Sequence, residues 1–500
     1  MPCCVSPPPL LFLLLSLCVF RMSHSCLPDT TSSYKFTGIV CRLTYPAAVV
    51  LNEKTTKVIE AAFKHTKYPS MKGEKSLLFT GRVTYGLDNL EIHNLSIGRS
   101  VFELHPGEGI AMEISNVSAV FRGTIQYGYG SWLVNLAHSV DFEIESQIDL
   151  GINPKLYCSE AKVAADTSDC YLNFHKLRLH LQGDREPNWL KKLFTDFITF
   201  TVKLVIKGQI CKEINKVANL LADFIQDMAN EFIRIGDISV DIGITTSPVI
   251  TANYIESYHK GLTNYNNTSS AIRDSHFDPS QLTEDRMLYF WVSDQVFNPM
   301  LTAAHQEGYL KLNLSGTELS ELFKTSLSNA MPEFIRKCLL ESGSPELRVW
   351  SSSVPYLKTS TLGTRVWAQA SGQLDCGSQG TLSFQTAVAL DVTVSYSDKK
   401  VFLHSNSSEV LVLHAEILSQ NQLLDKAQIE FIREAVEKIG IPKALSVLEI
   451  VITNELDQQG TYLFDIFNPE VFPRDGFVLI QMDFGFPHHL LVDFLRKTLE

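Results

Sequence analysis

Thirteen consecutive residues, VDFEIESQIDLGI from Val140 to Ile152, alternate in polarity without a slip. Val140, Phe142, Ile144, Ile148, Leu150 and Ile152 face one way, and Asp141, Glu143, Glu145 and Asp149 face the other. Period two over that length predicts a half-buried antiparallel strand about twice the usual five or six residues. A strand so long twists too far to stay in a flat sheet, so it must curl, as in a barrel. The same alternation recurs in ISVDIGI (Ile238 to Ile244), LKLNL (Leu310 to Leu314) and VALDVTVSY (Val388 to Tyr396). In LNFHKLRLHL (Leu172 to Leu181) the apolar parity changes between Phe174 and Leu177, which predicts a β-bulge.

A curled sheet needs something to wrap. Leu51, Thr55, Val58, Ile59, Ala62 and Phe63 repeat at helical spacing after Pro46. A longer pattern runs from Pro187 to Phe232, with Gly208 marking an expected bend. Further helices are expected near Glu318 to Leu339 and Leu423 to Ile439. Strands and long helices segregated in each half predict an α+β fold with two barrel-like domains, long twisted sheets wrapped on long helices. The 500 residues agree, since one core rarely serves more than about 250 to 300. The expected divisions are a signal peptide at 1–25, an N-terminal barrel at 26–260, a polar linker at 261–281, a C-terminal barrel with a central sheet at 282–481, and a tail at 482–500.

The leader assignment rests on the apolar block LLFLLLSLCVF, Leu10 to Phe20, followed by small residues at Ser23 and Ser25, with cleavage expected before Cys26. No Lys or Arg precedes the block, a departure from the usual pattern, but no later run reaches the roughly 18 apolar residues of a membrane span. Secretion into an extracellular fluid such as plasma, with no integral membrane span, is the expectation. Asn94, Asn116, Asn266, Asn267, Asn313 and Asn406 stand in glycosylation sequons, as a secreted glycoprotein allows. Cys26, Cys41, Cys158, Cys170, Cys211, Cys338 and Cys376 remain after cleavage, an odd count whose pairing spacing leaves open. The formal charge of -12 disfavours nucleic acid.

Catalytic and metal signatures are missing. There is no Gly-x-Ser-x-Gly elbow, the nearest string being CGSQG around Ser378, and no zinc, paired-cysteine or phosphate-loop motif. The GEG at Gly107 to Gly109 reads as a turn. His488 and Asp493 have the H-x4-D spacing of acyltransferases, but five residues along a helix turn the pair about 140° apart. His175, His180, His259 and His305 are scattered. No catalytic residue, metal or cofactor is assigned.

Three stretches carry a resemblance: DCYLNFHKLRLHLQGDREPNWLKKLFTDFITFTVKLVIKGQICKEIN (Asp169 to Asn215), RMLYFW (Arg286 to Trp291) and RDGFVLIQMDFGFPHHLLVDFL (Arg474 to Leu495). The chain resembles, over essentially its whole mature length, the family of bactericidal permeability-increasing protein, lipopolysaccharide-binding protein and phospholipid transfer protein, and within it the branch that carries cholesteryl ester. The resemblance implies a boomerang of two barrels joined by a central sheet, an internal lipid tunnel, and a disulfide between Cys170 and Cys211. It places Gln226, Ser257 and His259 beside phospholipid headgroups, with Met228 where relatives have arginine. Leu43, Leu51, Ala222, Ile225, Leu288, Phe290, Val292, Phe464 and Ile466 fall on tunnel-lining positions, Leu43 and Val292 by replacing other apolar residues.

In the tail, Leu490, Leu491, Phe494, Leu495 and Leu499 form an apolar stripe after Pro487, a C-terminal amphipathic helix expected to act as a lid. The implied function is exchange of neutral lipids (cholesteryl ester, triglyceride) and phospholipid between high-density and low-density lipoproteins by a monomer. Phospholipid transfer or lipopolysaccharide binding is the sibling alternative, and a secreted lipid esterase or acyltransferase the enzymatic one.

Overall fold

The computed structural model describes residues 26–28, 34–50, 52–53, 56, 60, 68–77, 81–130, 135–182, 199–200, 202–212, 214–215, 234–326, 331–341, 345–418, 422–458 and 465–485. The fold is α+β, and the chain divides into two compact units, with divisions after Arg42, Gln226, Thr246, Glu256 and Phe484.

In the unit containing residues 43–226 the sheet order is Met71–Leu77, Gly81–Ser96, Gly109–Gly130, Asn135–Ile152, Cys170–Leu181, all antiparallel, with Arg99–His105 also paired to Gly109–Gly130. The founding alternation becomes the 18-residue strand Asn135–Ile152, and its partner Gly109–Gly130 is longer still at 22 residues. Phe142, Ile144, Ile148, Leu150 and Ile152 are buried, as their parity requires. The expected bulge is present: Gln147 pairs with Lys176 and Ile148 with Phe174, leaving His175 as the extra residue. That insertion lets Phe174 and Leu177 both face inward.

The inner face packs on Val202, Val205, Ile206 and Ile210 of the helix over residues 202–212. Gly208, where a bend was expected, lies within this helical stretch. Cys170 and Cys211 are joined, with Cα atoms 5.9 Å apart, clipping the helix to the edge strand.

The other unit holds a second long sheet, ordered Lys311–Ser315, Glu346–Ser351, Gly363–Asp375, Thr381–Ser397, Lys400–Ile417, Gln422–Leu423, with Tyr356–Ser360 paired to Gly363–Asp375. Cys338 and Cys376 form a disulfide that spacing had not revealed, closing a loop worth about 4 kcal/mol in the chain-entropy picture. Cys26 and Cys158 are each disulfide-bonded, and Cys41 carries a thiol.

Several sequence readings need correction. The helix expected from Glu318 to Leu339 is two, Gly316–Ser326 and Glu333–Glu341, because Pro332 lacks an amide donor and disfavours helical backbone before it. The helix expected to end at Ile439 instead starts at Lys426, capped by Asp425, widens into a π-turn at Val436–Gly440, and continues as Ile441–Gln458. In a regular helix the missing N–H of Pro442 and its ring would conflict with the carbonyl four residues back, and the wider turn relieves this.

The strand expected from Ile238 to Ile244 stops at Asp241. Residues 261–281, read as a polar linker, contain the strands Leu262–Tyr265 and Thr268–Ser269 and bury Thr263, Ile272 and Phe277. Arg42, 2% exposed, reaches the end of this stretch, donating to the carbonyls of Leu282 at 2.7 Å and Pro279 at 2.8 Å.

Candidate functional site

A sheet runs in the order Tyr254–His259, Ile39–Thr44, Leu288–Ser293, Phe477–Gly485, Asp465–Arg474. Leu288–Ser293 and the first part of Phe477–Gly485 are apolar at successive positions, as in sheets with two covered faces. One face is closed by protein: Tyr289, Trp291 and Leu479 are buried, and Trp291 lies between Phe277 and Phe477 at 5.4 and 5.2 Å between ring centroids.

The opposite face differs. Leu288 pairs with Met482, Phe290 with Ile480 and Val292 with Val478, six apolar side chains that are all only half-buried. At the Val292 end, Val292 and Ile39 pack with Val240, Ile272 and Val296.

Electrostatic contacts fasten this sheet at one corner. The Arg286 guanidinium bonds Asp483 at 3.0 Å and Glu470 at 3.1 Å. A hydrogen bond from Gln481, then the one from Arg286, hold the Glu470 carboxyl below its ordinary range.

The structure therefore brings Leu288, Phe290 and Val292 together on one face. Leu43 is half-buried like Ile39 and Cys41 along its strand, and Ile466 is half-buried on the edge strand Asp465–Arg474. Leu51, Ala222, Ile225, Gln226, Met228, Phe464, His488, Asp493 and the tail residues Leu490, Leu491, Phe494, Leu495 and Leu499 lie outside the described residues.

Ser257 and His259, two apart on one strand, share a face and a hydrogen bond of 2.8 Å. The Nδ1 of His259 is 2.8 Å from the Ile242 carbonyl, which can only accept, so Nδ1 carries the proton and the Ser257 hydroxyl donates to Nε2. The pair has the serine–histidine half of a hydrolase triad. The orienting group, however, is a neutral carbonyl, which lacks the charge that would stabilise an imidazolium. Ser378 is exposed beside the disulfide residue Cys376. Among the described residues no group of three or more His, Cys, Asp or Glu side chains could hold a metal ion.

Burial pushes the His259 pKa below its ordinary 6.5, against a smaller opposing effect of the Ile242 hydrogen bond. Because the folded value is depressed, the neutral ring contributes stability above the unfolded value that is lost as pH falls through the folded one. Between pH about 7.5 and about 5, His259→Gln should melt with a shallower pH dependence than the wild type. Parallel melting curves would refute the assignment.

Sequence reasoning missed one apolar surface. On the helix Ile441–Gln458, Glu449 and Thr453 face the sheet and accept from the amides of Leu403 at 2.7 Å and Val401 at 3.1 Å. Val447, Leu448, Ile450, Val451 and Ile452 are consequently exposed, 37–58% each. The run VLEIVI, with a single carboxylate inside it, was the available signal. A separate concavity of about 360 Å³ lies over Tyr356, Trp367, Ala389 and Leu411, with a polar rim of Ser353, Gln369 and Glu409. All six sequon asparagines are exposed. Among the described residues no helix is long and apolar enough to cross a membrane, which says nothing of strands.

Residues 50–228 match the N-terminal domain of the LBP / BPI / CETP family and residues 236–459 its C-terminal domain. Cholesteryl ester transfer protein of Gallus gallus is 42% identical over 474 residues, 93% of this chain and 94% of that protein. That of Homo sapiens is 42% identical over 492 residues, 97% and 98% of the two chains. Lipopolysaccharide-binding protein of Mus musculus is 24% identical over 287 residues, 56% of this chain and 57% of that one. A crystal structure of lipopolysaccharide binding protein superimposes with a TM-score of 0.46 at 17% identity, covering 90% of this chain and 99% of the other. Matched in order by both family domains and by near full-length relatives, the chain belongs to the LBP / BPI / CETP family.

Proposed function

We propose that the protein is a lipid-transfer protein, secreted into plasma, that exchanges cholesteryl ester, triglyceride and phospholipid between lipoproteins through an internal apolar passage. The half-buried apolar face of Leu288, Phe290, Val292, Val478, Ile480 and Met482 carries this reading, because a sheet face left half-covered by protein suits a greasy ligand. The near full-length likeness to cholesteryl ester transfer proteins supports the neutral-lipid assignment over the sibling activities. An acidic net charge of -12 also disfavours general attraction to the phosphates of lipopolysaccharide.

The physical task is to move an ester whose 18-carbon chain alone forfeits on the order of 14 kcal/mol in water, at about 0.8 kcal/mol per methylene. An apolar conduit removes that barrier with no bond chemistry, which accords with the neutral partner of His259. In this proposal Gln226, Ser257 and His259 face headgroups, and the tail from Pro487 covers a mouth of the passage with Leu490, Leu491, Phe494, Leu495 and Leu499.

Mass spectrometry of lipids extracted from the purified protein should find cholesteryl ester or triglyceride together with phospholipid; phospholipid alone would favour the sibling activity. A chain ending at Phe486 should be secreted and folded yet lose nearly all transfer of labelled cholesteryl ester. Full-rate transfer by that chain would remove the lid from the proposal, and release of labelled fatty acid by the intact protein would restore the esterase alternative.

A further inference from the structure

The helix over residues 202–212 has two unlike sides. Inward, Val202 and Ile206 are fully buried and Val205 and Ile210 nearly so. Outward, Leu204 is 55% exposed, and Phe200, in the helical stretch at 199–200, is 66% exposed. Beside Leu204 stand Lys203 and Lys207, one turn apart, and Lys212 follows. Lys203 Nζ stands 5.7 Å from the centroid of Phe174, while Lys207 and Lys212 are exposed.

Between Asp196 and Glu213 these three lysines are the only charged residues, in a chain whose formal charge is -12. The Cys170–Cys211 disulfide anchors the helix to its strand, so the exposed pair is held in place.

Two large apolar side chains in water beside a row of lysines, on an otherwise acidic molecule, match one kind of surface. Anionic phosphate headgroups attract the lysines, and the acyl boundary beneath them takes up the Phe and Leu. A protein partner would be expected to present its own acidic patch, but it would not need two apolar side chains spaced to enter a soft interface. We infer that the outer face of this helix docks the protein on a phospholipid surface that contains anionic headgroups. The inference takes from the lipid-transfer reading only that the partner is a phospholipid-coated particle. Its test reads attachment and not cargo exchange, so either can fail alone.

The experiment is flotation of the full-length protein with vesicles of phosphatidylcholine, with and without phosphatidylserine. Phosphatidylserine should strengthen attachment, and added salt should weaken it. Lys207→Gln combined with Lys212→Gln should lower binding to the anionic vesicles about tenfold or more and leave binding to pure phosphatidylcholine nearly unchanged. Phe200→Ser combined with Leu204→Ser should lower binding to both kinds of vesicle, with an unchanged melting curve because both side chains already face solvent.

Attachment indifferent to phosphatidylserine, or unaffected by either double variant, overturns the inference. So does concentration-dependent self-association without vesicles that the Phe200→Ser, Leu204→Ser variant abolishes, since the face would then serve a second copy of the chain.

Discussion

Phe290→Glu is expected to strip the protein of neutral lipid while leaving it folded. Phe290 is half-buried on a strand whose other face, Tyr289 and Trp291, is fully buried, so the new carboxylate meets the open side of the sheet and not its packed side. Opposite it stands Ile480, which offers the charge no hydrogen bond. Holding a carboxylate against hydrocarbon without a partner costs at least about 3 kcal/mol, or roughly a hundredfold in occupancy. Ile480→Glu should do the same from the neighbouring strand. The measurement is cholesteryl ester and triglyceride retained per mole of purified protein, beside its circular dichroism. A folded Phe290→Glu protein with an undiminished lipid load would show that this face does not touch the cargo.

Arg42→Met should lower stability by about 2 to 4 kcal/mol, since it removes a buried charged donor from the Leu282 and Pro279 carbonyls. Besides its bonds to Leu282 and Pro279, the guanidinium approaches the Thr283 carbonyl at 3.4 Å, so one side chain fastens the whole turn at 279–283 to the strand Ile39–Thr44. For a unit of this size the loss corresponds to a fall in melting temperature on the order of 10 °C. Arg42→Lys should recover only part of it, because an ammonium lacks the planar fork that spans two carbonyls. Melting within about 1 °C of wild type for Arg42→Met would mean that the segment is held by other contacts.

Local signals were legible wherever a residue's surroundings repeat along the chain. The alternation from Val140 to Ile152 predicted both the strand and its buried residues, and the parity change after Phe174 located the extra residue to within one position, at His175. The apolar positions Leu288, Phe290 and Val292 were named together and do share one face. Helix ends were harder, because they turn on single residues. Pro332 divides what periodicity had read as one helix, whereas Pro442 does not end the next, since a π-turn absorbs it. Composition misled at residues 261–281, where polar residues belong to short strands tied down by buried side chains.

The sequence by itself determined which segments extend, where one strand bulges, and to which family the chain belongs, because periodicity and motif identity are properties of neighbours in the chain. Only the tertiary structure decided that Cys338 meets Cys376, that His259 spends its Nδ1 proton on a carbonyl, and that the helix Ile441–Gln458 turns Glu449 inward and Val447, Ile450, Val451 and Ile452 out. Each of those outcomes depends on groups brought together from distant parts of the chain, and on which polar atoms are left needing a partner once the sheets have closed.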